Sequence, residues 1–88
     1  MFDLEKGQRR SRFNTIYDIL RLCAKGLKKT HILYRANLSH QQLNKYLAAL
    51  LKYDLLEAGE NEFRTTGKGL LFIERFEELL KLVNEPPQ

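Results

Sequence analysis

The sequence has no tryptophan, a single cysteine and no long apolar run. One cysteine, Cys23, cannot form a disulfide within the chain, which is typical of proteins in reducing compartments. A membrane-spanning helix needs roughly 20 mostly apolar residues, and no stretch here is that apolar. The first residues, MFDLEKGQRRSR, lack the apolar segment of a secretory signal. These absences predict a cytoplasmic protein without a membrane partner.

The common signatures of enzymes are also missing. There is no glycine-rich phosphate loop, because the Gly-Lys-Gly at residues 67–69 lacks the spacing of a nucleotide-binding loop. His31, His40 and Cys23 do not have the number or spacing of a zinc site. No nucleophile stands near a plausible base. We therefore expect no catalytic residue, no metal, no cofactor and no small-molecule ligand.

Acidic residues are scarce in the first part of the chain. Residues 1–52 contain eleven Lys and Arg against three Asp and Glu, a net charge of +8, whereas residues 53–88 carry −4. The whole chain of 88 residues has a net charge of +4. Basic clustering of this kind favours a polyanionic partner, and its alternative is a solvated basic face without a ligand.

Apolar periodicity predicts three helices in the basic part. The first begins after a cap at Ser11, buries a stripe spaced by three or four residues, and ends in a left-handed turn at Gly26. The second covers about residues 29–36 and is followed by a tight turn at residues 37–38. The third runs from a Ser39 cap to about Lys52, with Gln42 completing a capping box. The stripe of the first helix consists of Phe13, Ile16, Leu20 and Cys23.

The remaining residues predict a hairpin and a last helix. Residues 55–58 and 62–65 have the pattern of two short strands, joined by a turn at residues 59–61. A final helix then opens at Thr66 and ends before Pro86. The expected fold is mostly α with a small β-hairpin: three helices, a two-stranded wing and a C-terminal helix. Residues 1–10 are expected to form a flexible basic arm, and residues 11–85 a winged helix-turn-helix domain.

Two separated segments carry a resemblance to a known family. Residues 29–50, KTHILYRANLSHQQLNKYLAAL, resemble the second and third helices of small archaeal winged-helix transcription regulators, the ArnR-like domains of the MarR/PadR-type superfamily. Residues 63–69, FRTTGKG, are similar to the family's passage from wing to last helix. The similarity covers about residues 12–82 and implies double-stranded DNA as partner and a homodimer. This chain departs from the family in its short, acidic hairpin.

The third predicted helix has the composition of a recognition helix. Opposite its leucines it carries amides and lysine and no carboxylate, and a carboxylate would repel phosphates. Gln and Asn side chains suit the N6 and N7 edges of adenine, lysine suits guanine, and a small side chain can meet a thymine methyl. The predicted base contacts are Gln41, Gln42, Asn44, Lys45 and Ala48.

Phosphate contacts are expected from cations and from the starts of the second and third helices. The predicted residues are Lys28, Lys29, Thr30, Arg35, Ser39, His40, Lys52 and Arg64. An arginine-rich arm, QRRSR, is expected to enter the minor groove of A·T-rich sequence. Its predicted contacts are Arg9, Arg10 and Arg12, and the alternative for this arm is a solubilising tail.

The last predicted helix, about residues 67–84, has a wide apolar surface. Apolar residues spaced by three and four form the seam of a two-heptad coiled coil. The predicted dimer interface is Ile73, Phe76, Leu80 and Val83, and the alternative is that the domain itself covers this helix.

A transcription regulator associated with the nucleoid is the function these features predict. A winged-helix module that docks another protein is the alternative, favoured by the acidic hairpin and the apolar last helix. RNA is a weaker third partner, because exposed aromatic residues do not cluster.

Overall fold

The computed structural model describes residues 11–84, and within them it contains four helices and one two-stranded antiparallel sheet. The architecture is mostly α with a small hairpin, as predicted. No helix among the described residues is long and apolar enough to cross a membrane. The elements are α1 (Arg12–Leu22), α2 (Lys29–Ala36), α3 (His40–Lys52), β1 (Leu56–Ala58), β2 (Phe63–Thr65) and α4 (Gly67–Asn84).

Local capping chemistry sets most helix boundaries. The Ser11 hydroxyl accepts a hydrogen bond from the Asn14 N–H at 3.1 Å, which starts α1. Ser39 and Gln42 form a reciprocal capping box at the start of α3, with bonds of 3.1 and 3.0 Å. Between them, α2 ends at Ala36 and is capped by Asn37, whose left-handed backbone (φ 57°, ψ 50°) suits asparagine better than most residues. The predicted caps at residues 11 and 39 and the turn at residue 37 are confirmed.

The end of α1 differs from the prediction. The helix stops at Leu22, four residues before Gly26, and the chain makes a turn at residues 23–25. Gly26 then adopts the expected positive φ of 93°. Its N–H donates to the Cys23 carbonyl oxygen at 3.0 Å, so the glycine closes the turn rather than the helix.

The core lies between the three N-terminal helices and β1, with α4 closing one side. Phe13 was expected in the buried stripe of α1, and this prediction is wrong, because 58% of its side chain is exposed. Asn14 and Thr15 are buried there instead, and Ser11 bonds to both. The fully or nearly fully buried apolar residues are Ile19, Leu20, Cys23, Ile32, Ala36, Leu43, Leu47, Leu50 and Leu56.

The hairpin is fastened to the helices by backbone bonds. Each strand is one residue shorter than predicted, and Glu57 pairs with Arg64 in the centre of the register. Leu27, just before α2, forms an antiparallel bridge with Phe63 through two N–H···O bonds of 2.9 Å. The buried Thr65 hydroxyl donates to the Leu20 carbonyl at 2.6 Å. These bonds join the wing to α1 and to the start of α2.

The start of α4 depends on Thr66 and on a close approach at Gly69. The Thr66 hydroxyl donates to the Asp54 carbonyl oxygen at 2.6 Å and accepts from the Gly69 N–H at 3.0 Å. A Cβ atom on Gly69 would lie 2.3 Å from the Leu55 carbonyl oxygen. Gly69 of the TTGKG motif is therefore required because α4 packs closely against the chain at Leu55. This packing explains the glycine without a phosphate ligand.

Candidate nucleic-acid interface

Within residues 11–84, the outer face of α3 is open to solvent. Leu43, Leu47 and Leu50 form the inner face, with no more than 5% of any of them exposed. Gln41, Asn44, Lys45, Ala48 and Lys52 are all exposed. The predicted division of this helix into a buried and an open face is thus observed within the domain.

The same face carries positive charge and no carboxylate. The residues of α3 are HQQLNKYLAALLK, with Lys45 and Lys52 as the charged side chains. These two lysines are seven residues apart, which is about two helical turns and places them in one row. The Lys52 ammonium lies 5.7 Å from the centre of the Tyr53 ring, so a weak cation–π contact holds it at the end of the row. An anion therefore meets one cation near the centre of the exposed face and another at its C-terminal end.

Gln42 is less available to bases than predicted. Its Oε1 accepts the Ser39 N–H at 3.0 Å as part of the capping box. Reading adenine with two bonds needs both the amide oxygen and the amide N–H₂. Because an amide oxygen has two lone pairs, Gln42 keeps its N–H₂ group and one acceptor site, but the capping bond restricts the orientation in which it can meet a base. Its base contact stays a prediction.

The starts of α2 and α3 present several of the predicted phosphate contacts. Lys28 occupies the N-cap position of α2 in an extended conformation and forms no side-chain cap bond. Lys29 and Thr30 follow it and are exposed. At the start of α3, Ser39 and His40 are also exposed, although the Ser39 oxygen already accepts the Gln42 N–H. None of the first turns of α1, α2 and α3 contains an acidic residue.

Arg64 is held by an acidic neighbour on the wing. Its guanidinium donates to the Glu62 carboxylate at 3.1 Å. That carboxylate lies over Gly26, in the space where a Cβ atom on residue 26 would sit. The predicted phosphate contact of Arg64 would have to compete with this ion pair, so the wing offers less free positive charge than the sequence indicates.

Arg35 lies in a groove that contains a carboxylate. The groove between α1 and α2 is lined by Tyr17, Asp18, Arg21, Leu22 and Arg35. Arg21 donates to the Tyr17 hydroxyl at 3.2 Å and lies 3.7 Å from Glu77. The hydrogen bond and charge interaction with Tyr17, and then Glu77, raise the pKa of Arg21. The carboxylates in and beside this groove make Arg35 a weaker phosphate candidate than the lysines of α2 and α3.

Arg12 belongs to a helix and not to an arm. Because Ser11 caps α1, Arg12 is its first residue, and the prediction that it forms part of a minor-groove arm is wrong. The arm residues Arg9 and Arg10 lie outside the described residues. Arg12 lines a groove beside α3, together with two predicted base contacts, Gln42 and Lys45. The signal for this placement was present in the sequence, since the predicted cap already put residue 12 inside a helix.

Cys23 is a core residue. Its side chain is fully buried, and this burial raises the pKa of the thiol to about 11. A redox-sensitive cysteine needs an accessible thiolate, and a raised pKa works against one. His31 and His40 are both exposed, and no group of three or more potential metal ligands occurs in residues 11–84.

The predicted dimer seam is only partly available on α4. Phe76 is 8% exposed, and its ring centre lies 4.9 Å from Tyr17 and 5.9 Å from Phe72. Ile73 is half-buried against the core. Phe76 and Ile73 therefore pack within their own domain, which corrects the predicted seam, while Leu80 and Val83 are half-buried near the helix end.

Four other leucines of α4 remain open to solvent. The exposed side-chain fractions are 49% for Leu70, 47% for Leu71, 52% for Leu79 and 72% for Leu82. Leu79 also borders an apolar groove formed with Phe13, Phe72 and Phe76, which Arg75 lines at one edge. The unpartnered apolar surface thus lies beside the predicted seam and not along it.

Fold and surface together define a helix-turn-helix with a short wing, and comparison with known proteins agrees. A winged helix-turn-helix family model matches residues 9–84. The chain belongs to the winged helix-turn-helix family. The crystal structure of Sso10a-2, a DNA-binding protein from Sulfolobus solfataricus, is similar with a TM-score of 0.73 and 28% sequence identity. The match covers 83% of this chain and 81% of Sso10a-2.

Two archaeal sequences are also similar. The uncharacterized protein MJ0287 of Methanocaldococcus jannaschii is 30% identical over 80 residues, which covers 90% of this chain and 82% of that protein. The uncharacterized protein MJ0290 of the same organism is 33% identical over 76 residues, or 85% of this chain. The chain spans 36% of the length of MJ0290.

Proposed function

We propose that this protein binds double-stranded DNA through the outer face of α3 and acts as a transcription regulator. The observation that carries the proposal is that face itself: it is exposed, it contains two lysines and it has no carboxylate. The similarity to a DNA-binding protein of the same fold supports it. A regulator of the archaeal ArnR-like or MarR/PadR type, associated with the nucleoid in the cytoplasm, is the finer form of the proposal.

An α-helix fits the major groove of B-DNA, and α3 offers the chemistry for base edges there. Gln41 and Asn44 present exposed amides, and Lys45 can donate to guanine or to a phosphate. Ala48 leaves space for a thymine methyl, and Gln42 can donate from its N–H₂ group. These contacts would read sequence, while cations around them fix the position of the helix.

Phosphate contacts are assigned to the starts of the helices and to the end of α3. Lys28 and Lys29 precede N–H groups that have no helical partner, a combination suited to anions. Lys52 lies at the far end of the α3 row. Together with Lys45 these residues give four cations in reach of the backbone of one site.

Salt dependence tests the binding mode. Four neutralised phosphates predict a slope of log K against log salt of about −4. Affinity for a fluorescent duplex should therefore fall on the order of 10²-fold between about 50 and 200 mM salt. Fluorescence anisotropy measures this affinity at each salt concentration, with an RNA duplex of the same sequence as competitor. An affinity that is independent of salt, or that prefers the RNA, would contradict binding through this surface.

We further propose that the protein is a homodimer joined through α4. Leu71, Leu79 and Leu82 are separated by eight and three residues, so they lie on one side of the helix. Exposed apolar surface of this kind marks interfaces more often than solvated faces. The half-buried Leu80 and Val83 border it and would be covered by the partner helix.

Analytical ultracentrifugation at tens of micromolar tests the dimer. The wild type should sediment at about twice the 10.4 kDa chain mass. Replacing Leu79 and Leu82 by lysine should produce monomers, because a buried unpaired charge is costly in an apolar interface. Leu70→Lys is the matched control, since Leu70 is 49% exposed but lies on the other flank of α4. A wild-type protein that sediments with a mass of 10.4 kDa would contradict the proposed dimer.

A further inference from the structure

The groove that Arg12 lines, hereafter the α1–α3 groove, borders the outer face of α3 on the side that faces α1. Its volume is about 410 Å³. Cavities of roughly 300–1,000 Å³ typically hold small ligands, so this groove is large enough for a phosphate and its sugar. Its lining residues are Arg12, Ile16, Gln42, Lys45, Tyr46 and Ala49.

The groove is continuous with the recognition face. Gln42 and Lys45 line the groove and also belong to the exposed residues of α3. On a helix turning 100° per residue, Ala49 and Gln42 lie on the flank next to Lys45. Any strand that follows the edge of a major groove occupied by α3 therefore passes this flank.

The groove combines charged and apolar side chains. Ile16, Tyr46 and Ala49 supply carbon surface, whereas Arg12 and Lys45 supply two positive charges. No Asp or Glu is among the lining residues. The groove beside Arg35 differs in this respect, because Asp18 lines it. A ligand for the α1–α3 groove should accordingly carry both an anionic group and apolar surface.

The stability of α1 does not explain why its first residue is an arginine. Arg12 occupies the first position of α1, where the helix dipole favours anions and disfavours cations. The first turn of α1 contains no acidic residue to offset it. An arginine at this position therefore works slightly against the fold and needs another explanation.

We infer that this groove binds the sugar–phosphate backbone of the DNA strand beside α3, and that Arg12 is a phosphate-binding residue. The inference rests on the proposed function and adds a contact from a different helix. The Arg12 guanidinium can donate two parallel bonds to one phosphate, and Lys45 can donate to the same group or its neighbour. The deoxyribose would lie against Ile16 and Ala49. A contact from α1 holds α3 in register, because the two helices form one rigid core.

Arg12→Gln tests the inference, since glutamine keeps a long side chain without the charge. Affinity for duplex DNA at about 100 mM salt should fall about 3- to 10-fold, and the salt slope should become shallower by about 1. The melting temperature should stay constant or rise, because a cation leaves the first turn of α1. Arg12→Lys should restore the salt slope but only part of the affinity, because it lacks the paired donors.

Lys25→Gln is the matched control. Lys25 is exposed and lies beyond the other end of α1, a helix about 15 Å long at 1.5 Å per residue. It should change neither the affinity nor the slope measurably. If Arg12→Gln binds like the wild type while Lys45→Glu no longer binds, the groove assignment is overturned and the proposed function stands. If the wild type does not bind duplex DNA, both are overturned.

Discussion

Replacing Lys45 by glutamate is expected to abolish binding to duplex DNA while leaving the domain folded. The side chain lies near the centre of the exposed α3 face and is also part of the α1–α3 groove. The substitution removes one phosphate contact and places a carboxylate about 4–6 Å from phosphates, where repulsion costs about 1–4 kcal/mol. The combined loss should exceed about 100-fold in affinity, measured by fluorescence anisotropy at constant salt.

Lys45→Glu is not expected to change the stability of the folded domain. Exposed substitutions away from special contacts usually alter stability by less than about 0.5 kcal/mol, so the urea midpoint should stay close to that of the wild type. Lys81→Glu is the control, because it makes the same charge change on an exposed position of α4. Equal affinities for Lys45→Glu and the wild type would rule out α3 as the recognition helix. Equal losses for both variants would mean that net charge alone controls binding.

Replacing Gly69 by alanine is expected to destabilise the domain strongly. The added Cβ atom would lie 2.3 Å from the Leu55 carbonyl oxygen and 2.5 Å from the Thr65 methyl carbon. Both are held in place, because the Leu55 oxygen accepts the Thr66 N–H at 3.1 Å and Thr65 is buried and bonded to α1. Overpacking of this kind costs about 1–3 kcal/mol or more. At about 0.05–0.15 kcal/mol per residue, total stability is only about 4–13 kcal/mol, so a large share is lost.

Gly67→Ala provides the comparison within the same motif. Nothing lies within 4 Å of a Cβ atom at Gly67, which is the first residue of α4. Alanine there should raise the free energy of unfolding by about 0.4–1 kcal/mol, because it restricts the unfolded chain. Urea denaturation of the two variants measures the contrast. Equal stability for Gly69→Ala and Gly67→Ala would show that α4 can move away from Leu55 without cost.

Local chemistry explains why so much of the fold was predictable. The bounds of α2 and the start of α3 depend on residues within four positions of each other, such as the Ser39–Gln42 capping box. The hairpin was located to within one residue at each strand for the same reason. The end of α1 was predicted too late in the chain. A glycine at residue 26 is typical of a helix end, but in the fold Gly26 closes a turn beyond the helix.

The surface chemistry was less predictable, because each side chain has several possible partners. The sequence predicts two roles for the amide of Gln42, a base contact and the cap of α3, and in the fold its oxygen forms the cap. Phe76 has the spacing of a coiled-coil position, but Tyr17, 59 residues earlier in the chain, already covers its ring. Arg64 is a free cation in the sequence and an ion-paired one in the fold.

The sequence by itself determined where the helices and strands lie and which face of α3 is open, since those depend on periodicity and on caps within one turn. Only the tertiary structure decided which exposed groups share a surface. Arg12 and Lys45 are 33 positions apart, and they line one groove because α1 and α3 pack on the same core. The proximity of such residues in space depends on how the helices pack against each other, and no short stretch of residues encodes it.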